Sequence, residues 1–256
     1  MYQGQSQIRF SVAAFAFSLS VITPSVMASD LIVSAASSLT NAFKELGQGF
    51  QSQHADLNVL NSFAASDVLA QQIINGAPVD VFASADQVAM DKAEQAGVID
   101  SATRVDFAQN ALVLIVPVDN PKQIQKIADL AQPEVTRVAY GNPDSVPVGR
   151  YTQQALQREK QWEQLQAKKI LGQNVRQVLD YVVRGEVDAG FVFKTDALAF
   201  QDQVQVVQEV DTPEPVRYPL ALVQQTPTNP QAQAYLDYIL SAEAQEILAK
   251  HGFKAP

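Results

Sequence analysis

The chain of 256 residues contains no cysteine and only two histidines, His54 and His251. Without cysteine we expect no disulfide, thiolate–zinc site, thiol nucleophile or lipid-modified N-terminal cysteine. A Ser-His-Asp triad would need one of the histidines, but His54 lies in a polar stretch and His251 precedes a glycine at a predicted helix end. The sequence also lacks a Gly-x-Ser-x-Gly elbow, a glycine-rich phosphate loop and acidic residues at metal-ligand spacing. It therefore favours neither an enzyme nor a bound cofactor.

Basic residues are also scarce, with 18 Lys and Arg against 27 Asp and Glu and a net charge of −9. The densest basic spot, Lys168-Lys169, is typical of a solvated helix face. Nucleic acid is therefore not predicted as a partner. A small buried anion site is still compatible with this acidic composition, because local dipoles govern such a site more than distant, screened surface charges do.

The N-terminal segment has the pattern of a secretory signal peptide. Arg9 precedes an apolar stretch over residues 10–21, and Pro24 is followed by Val26-Met27-Ala28, with Val26 and Ala28 at the −3 and −1 positions. The apolar stretch is short for a membrane-spanning helix. We therefore predict cleavage after Ala28 and a soluble, exported mature protein.

From Asp30 onward, strand-like and helix-like segments alternate along the chain. Such alternation predicts a largely parallel α/β sheet, and the length suits two lobes. The predicted strands are 31–35, 57–63, 79–83, 111–116, 136–140, 190–193, 204–207 and 216–222.

The first strand runs directly into two serines, Ser37 and Ser38, and a helical pattern begins behind them. A hydroxyl at the first helical turn lies among backbone N–H groups that have no acceptor within the helix, at the positive end of the helix dipole. Such an arrangement can bind an anion without a cationic side chain.

Three further junctions repeat this arrangement: Ser66 after the second strand, Val148 behind Pro147, and Val175 behind Asn174. Each is also what an ordinary helix start requires, since every helix needs a cap and α/β proteins present many helix N-termini at the carboxyl ends of strands. The pattern by itself therefore predicts an exported α/β protein and leaves anion binding as one interpretation.

Longer strings of residues are more specific. They resemble, in order and over essentially the whole mature chain, the periplasmic molybdate-binding proteins of bacterial ABC importers. The strings are ASSLTNA at 36–42, GAPVDVFASAD at 76–86, GNPDSVPVG at 141–149, NVR at 174–176 and GFVFKTDA at 190–197. The resemblance implies a two-lobed periplasmic-binding-protein-like α/β fold, each lobe a mostly parallel sheet flanked by helices. It places residues 29–110 and 217–256 in lobe 1 and residues 111–216 in lobe 2, with the ligand in the cleft between them.

The resemblance also implies the ligand-binding residues. The family's positions fall on Ser38 and Ser66, through hydroxyl and backbone N–H, and on Val148 and Val175, through backbone N–H. These are the four helix starts described above. Molybdenum would be held only as the oxyanion, without direct protein ligands.

One position departs from the family pattern. The family often has a tyrosine whose hydroxyl donates to the oxyanion, and this chain has Phe193 there. A hydrogen bond to a charged group is worth ~1.5–3 kcal/mol, so the missing donor is expected to lower the affinity for the oxyanion. Ser37, Thr40 and Tyr151 are the candidates for a replacement donor.

The function implied by the resemblance is capture of molybdate or tungstate in the periplasm and delivery to the membrane permease of an ABC importer, by a monomer without a cofactor. A site made only of hydrogen-bond donors suits a fully deprotonated dianion, because the O–H group of a protonated phosphate would face other donors and find no acceptor. Two alternatives stay open from the sequence: a binding protein for another tetrahedral oxyanion such as sulfate, and a periplasmic α/β hydrolase.

Overall fold

The computed structural model describes Met1 and residues 29–54, 56–224 and 229–256. Apart from Met1, the predicted signal peptide lies outside the described residues. In the described part, ten strands form two five-stranded sheets. The strands are β1 (Ser29–Ala36), β2 (Leu57–Ala64), β3 (Val81–Ala83), β4 (Val105–Asn110), β5 (Leu112–Pro117), β6 (Val138–Gly141), β7 (Lys169–Gly172), β8 (Ala189–Phe193), β9 (Val204–Val210) and β10 (Val216–Leu222).

Helices connect and flank these strands. They are α1 (Thr40–Gln53), α2 (Ser66–Ile74), α3 (Gln87–Gln95), α4 (Pro147–Arg158), α5 (Trp162–Leu165), α6 (Val175–Val183), α7 (Lys194–Ala199), α8 (Pro230–Ile239) and α9 (Ala242–Lys250). No helix among the described residues has the length and apolar character that crossing a membrane requires.

The strand order is β2-β1-β3-β10-β4 in the first sheet and β7-β6-β8-β5-β9 in the second. In each sheet, the first three strands of this order are parallel and are connected by helices. The carboxyl ends of parallel strands meet at one edge of a sheet. The helices that follow β1 and β2 therefore begin at one edge of the first sheet, and those that follow β6 and β7 begin at one edge of the second.

The predicted α/β class is confirmed, with two sheets flanked by helices. The expectation that each sheet is mostly parallel needs a correction, because two of the four pairings in each sheet are antiparallel. These pairings involve β4, β5, β9 and β10, and the chain passes from one sheet to the other between β4 and β5 and again between β9 and β10. Parallel pairing of two strands needs a crossover connection, usually a helix. The strands at these two crossings lack such a connection within their own sheet, so they pair in the antiparallel direction.

Two strands were missing from the prediction. The strand β4 carries polar residues at three of its six positions, and only Ala111 separates it from β5, so its pattern merges with that of its neighbour. The strand β7 has only four residues and lies at the edge of the second sheet, where three of them keep some exposure. Neither strand shows the apolar run that marks a buried strand in the sequence.

The core holds the helices against the sheets. Helix α1 buries Ala42, Phe43, Leu46 and Phe50, and packs on β2. Helix α6 buries Val178, Leu179 and Val182, and packs on β6 and β8. Burying a large apolar side chain contributes about 1.5–3 kcal/mol, so these contacts hold each helix in place against its sheet.

Candidate anion-binding site

The helix starts from both sheets meet around one small cavity. The cavity volume, measured as the space that the centre of a water molecule can occupy, is about 10 Å³. This is room for a ligand of a few atoms, not for a sugar or a peptide. The lining residues are Ala36, Ser37, Ser38, Ala64, Ala65, Ser66, Ala85, Val146, Pro147, Val148, Val175 and Phe193. All five residues that the sequence analysis placed at the site are among them.

Three of the four helix starts lack a side-chain cap among the described residues. The first start is the 3-10 turn Ser37–Leu39, which leads directly into α1. The capping positions Ala36, Ala65 and Val146 offer no side-chain acceptor to the first N–H groups. At the fourth start, the Asn174 side chain accepts from Gln177 N–H at 3.0 Å and so leaves the earlier N–H groups uncapped. Free N–H groups at the positive ends of several helices favour an anion in the cavity.

Ser66 is held by the loop that follows β3. The backbone N–H of Ala85 donates to Ser66 Oγ at 2.9 Å, and the serine is fully buried. Because the oxygen already accepts a hydrogen bond, the hydroxyl proton is left for a partner in the cavity.

Ser38 has a partner that the sequence analysis did not identify. Its Oγ lies 2.9 Å from the hydroxyl of Tyr218, a fully buried residue of β10. Burial raises the pKa of the Tyr218 hydroxyl well above its ordinary value, so the group stays protonated and neutral. A tyrosine on the buried side of a mostly apolar strand was the available signal, since a buried hydroxyl needs a hydrogen-bond partner.

Phe193 is buried between two tyrosines. Its ring makes edge contacts with Tyr151 and Tyr218, at centroid distances of 6.1 and 5.8 Å. Of the candidates for a replacement donor, Ser37 lines the cavity and Tyr151 does not. Thr40 Oγ1 donates to the carbonyl oxygen of Ser37 at 2.6 Å, so its proton is already used. Ser37 is therefore the candidate that the geometry favours.

Among the residues that the structure describes, no charged side chain lines the cavity, but an arginine lies just behind it in the first turn of α4. Arg150 Nε donates to Asp86 Oδ2 at 2.7 Å, and the guanidinium also pairs with Asp67. These aspartates belong to α2 and to the cap of α3, beside the first sheet, whereas α4 packs on the second sheet. The three side chains thus form an ion-pair bridge between the parts built on the two sheets. Burial raises the pKa of Asp86, and the charge of Arg150 opposes that rise.

A second arginine, Arg176 in the first turn of α6, is paired in a similar way. Its Nε lies 2.8 Å from Asp196 Oδ1, and Asp196 is fully buried. Burial raises the pKa of Asp196 to about 6, against the opposing effects of the Arg176 charge and of a backbone hydrogen bond with Phe193. Both arginines next to the cavity are therefore balanced by carboxylates, and the cavity wall itself is neutral.

The histidines have structural partners. The ring of His54 stacks on Phe50, and its Nδ1 lies 2.9 Å from the Phe50 carbonyl oxygen. His251 Nε2 lies 2.8 Å from a carboxylate oxygen of Glu45. Among the residues that the structure describes, no group of three His, Asp or Glu side chains could hold a metal ion. The site residues are thus suited to binding rather than to nucleophilic or metal-assisted catalysis.

Comparison with known proteins identifies the family. The family model for bacterial extracellular solute-binding proteins matches residues 31–254. The molybdate-binding protein ModA of Escherichia coli (strain K12) is 37% identical over 234 residues, which cover 87% of this chain and 88% of the relative. The putative ABC transporter substrate-binding lipoprotein YvgL of Bacillus subtilis (strain 168) is 35% identical over 227 residues, covering 88% and 86%.

A solved structure shows the same fold. The periplasmic molybdate-binding protein of Azotobacter vinelandii matches with a TM-score of 0.76 at 24% identity, over 88% of this chain and 99% of that one. The family is one of solute-binding proteins and not of enzymes. From the extent of the family match and the identity to two relatives, the chain belongs to the bacterial extracellular solute-binding protein family.

Proposed function

We propose that the protein binds molybdate, and tungstate of the same charge, in this cavity and delivers the anion to the permease of an ABC importer. The observation that carries the proposal is the meeting of four helix N-termini, three of them without side-chain caps, around a neutral cavity. The relatives named molybdate-binding proteins support the choice of anion.

In the proposed complex, Ser38 and Ser66 donate through their hydroxyl and backbone N–H groups, and Val148 and Val175 through backbone N–H. The protein touches only the oxygens of the anion, and Phe193 contributes an apolar wall. Several donors that share two negative charges form charge-assisted hydrogen bonds, which are about twice as strong as neutral ones.

The same proposal covers the lobes and the location. We assign residues 29–110 and 217–256 to lobe 1 and residues 111–216 to lobe 2, so that Ser38 and Ser66 belong to one lobe and Val148 and Val175 to the other. Closure of the lobes then brings the four donors together. We further propose that residues 1–28 are removed on export, and that the mature protein works as a monomer in the periplasm.

A titration panel tests the choice of anion. We expect molybdate and tungstate to bind tightly with one anion per protein, and hydrogen phosphate to bind weakly, because its proton would face donors. Isothermal titration calorimetry at neutral pH with these three anions and sulfate measures the order. Hydrogen phosphate that competes on equal terms would contradict a donor-only site. Sulfate that binds more tightly than molybdate would assign the site to another tetrahedral oxyanion.

The two serines give a second prediction. Replacing Ser38 or Ser66 with alanine removes a hydroxyl donor to a buried dianion and leaves the backbone N–H in place. Each change should weaken molybdate by ~1.5–3 kcal/mol, or roughly ten- to a hundredfold in Kd. Titration of each variant against the parent measures the loss.

The matched control is Ser241→Ala, which removes a serine cap from α9, away from the cavity. It should lower the free energy of unfolding by about 1 kcal/mol and leave the Kd for molybdate unchanged. Parental affinity in both cavity variants would show that the anion binds elsewhere.

A further inference from the structure

A chain of side-chain hydrogen bonds leads from the crossing between the two sheets to the anion site. Asn110 is the last residue of β4, directly before the chain enters the second sheet. Its Oδ1 accepts the backbone N–H of Ala111 at 2.9 Å. Its Nδ2 donates to Thr195 Oγ1 at 2.9 Å and to the Tyr218 hydroxyl at 3.2 Å. All the polar atoms of this amide are in use, and its orientation is fixed.

The fixed amide determines the direction of the next hydrogen bond. The Tyr218 oxygen accepts from Asn110, and Tyr218 is fully buried. Its single proton needs an acceptor, and Ser38 Oγ lies at 2.9 Å. If Ser38 donated instead, the phenolic proton would be buried without a partner, which costs about 1–3 kcal/mol. Tyr218 therefore donates to Ser38.

This direction determines where the Ser38 proton goes. The proton cannot point at Tyr218, so it is left for the cavity that Ser38 lines. A hydroxyl that accepts a hydrogen bond also becomes a stronger donor, since hydrogen bonds in a chain polarise one another. Fixing its rotation before the anion arrives lowers the entropy cost of binding.

We propose that Tyr218 is a positioning residue of the anion site, which, together with Asn110, directs the Ser38 hydroxyl toward a bound oxyanion. The inference rests on the proposed function, because it concerns the same cavity and the same anion. It also accounts for how the site works with Phe193 in place of a tyrosine: a tyrosine hydroxyl acts on the anion indirectly, through Ser38.

The test is a set of titrations with molybdate. Tyr218→Phe keeps the ring in place and removes the donor to Ser38. In the parent it should raise the Kd by about two- to tenfold, the value of a neutral hydrogen bond. In the Ser38→Ala background it should leave the Kd unchanged, because Tyr218 acts only through that hydroxyl. In the Ser66→Ala background, Tyr218→Phe should again raise the Kd by the full two- to tenfold.

Two further variants complete the design. Tyr235→Phe is the matched control, since Tyr235 is also fully buried but lies in α8, and its hydroxyl has no hydrogen-bond partner in the described part of the chain. This control should leave the Kd unchanged. Asn110→Ala keeps both Tyr218 and Ser38 and removes the group that orients them. It should raise the Kd about two- to threefold, again only when Ser38 is present. It serves as the test if Tyr218→Phe fails to fold.

The outcomes separate the two proposals. Parent protein that binds no molybdate overturns the proposed function and this inference with it. Parent protein that binds molybdate, together with an unchanged Kd in Tyr218→Phe, overturns the inference alone. An equal loss in the Ser38→Ala background also overturns it, because a general structural effect of Tyr218 would not depend on Ser38.

Discussion

Replacing Arg150 with methionine is expected to raise the Kd for molybdate by about a hundredfold or more. Arg150 is 14% exposed, and its partners Asp67 and Asp86 are 9% and 5% exposed in their side chains. Removing one member of a buried ion pair leaves an uncompensated charge and costs about 3–5 kcal/mol. Lys92 still pairs with Asp67, so the lower end of that range applies.

The substitution of Arg150 should weaken molybdate binding more than it lowers the free energy of unfolding. Asp67 and Asp86 lie beside the first sheet and Arg150 beside the second, so lobes that separate would expose both carboxylates to water. In the variant, closure around the anion would bury these carboxylates without their arginine. A loss of about 3 kcal/mol corresponds to a Kd more than a hundredfold higher.

Arg104→Met is the matched control for this measurement. Arg104 also bridges two carboxylates, those of Asp91 and Glu94, but all three residues lie between β3 and β4, beside the first sheet. This change should lower the free energy of unfolding and leave the Kd unchanged. Titration and thermal melting of both variants give the comparison. An Arg150 variant that melts earlier but keeps the parental Kd would contradict a role in closure.

The second large effect is expected at the start of α4. A Cβ atom added at Gly149 would lie 2.1 Å from the carbonyl oxygen of Gly141 and 2.6 Å from its carbonyl carbon. These are backbone atoms of β6, which cannot move aside as a side chain can. Overpacking usually costs about 1–3 kcal/mol, and we expect about 3 kcal/mol or more for Gly149→Ala. The melting temperature should fall by about 6–12 °C.

Gly149→Ala should also impair binding. To relieve the overlap, the first turn of α4 must move away from β6, and the neighbouring Val148 N–H moves with it. Gly47→Ala is the control, because its added Cβ would meet the side chains of Asn61 and Val59 at 3.2 and 3.3 Å, away from the cavity. That substitution removes a glycine from the interior of α1 and should keep both the melting temperature and the Kd close to the parent. Unchanged molybdate binding in Gly149→Ala would argue against Val148 as a donor.

The sequence by itself determined the alternation of strands and helices and the positions of the helix starts. These features depend on short-range signals: apolar periodicity, small residues at strand ends, and Pro147 at the first position of α4. These signals located the four helix starts, and the resemblance to the molybdate-binding family then implied Ser38, Ser66, Val148 and Val175 as the ligand positions at those starts. The strands β4 and β7 lacked such signals, and the antiparallel half of each sheet depends on how the chain crosses between the sheets.

Only the tertiary structure decided which groups stand behind the cavity. Tyr218 is separated from Ser38 by 180 residues along the chain, and Arg150 from Asp86 by 64. Such contacts are set by the order and register of β10 in the first sheet and by the packing of α4 on the second. The residues next to a hydroxyl or a charged group do not show which partner it will contact. That partner is determined by how elements distant in the sequence pack together.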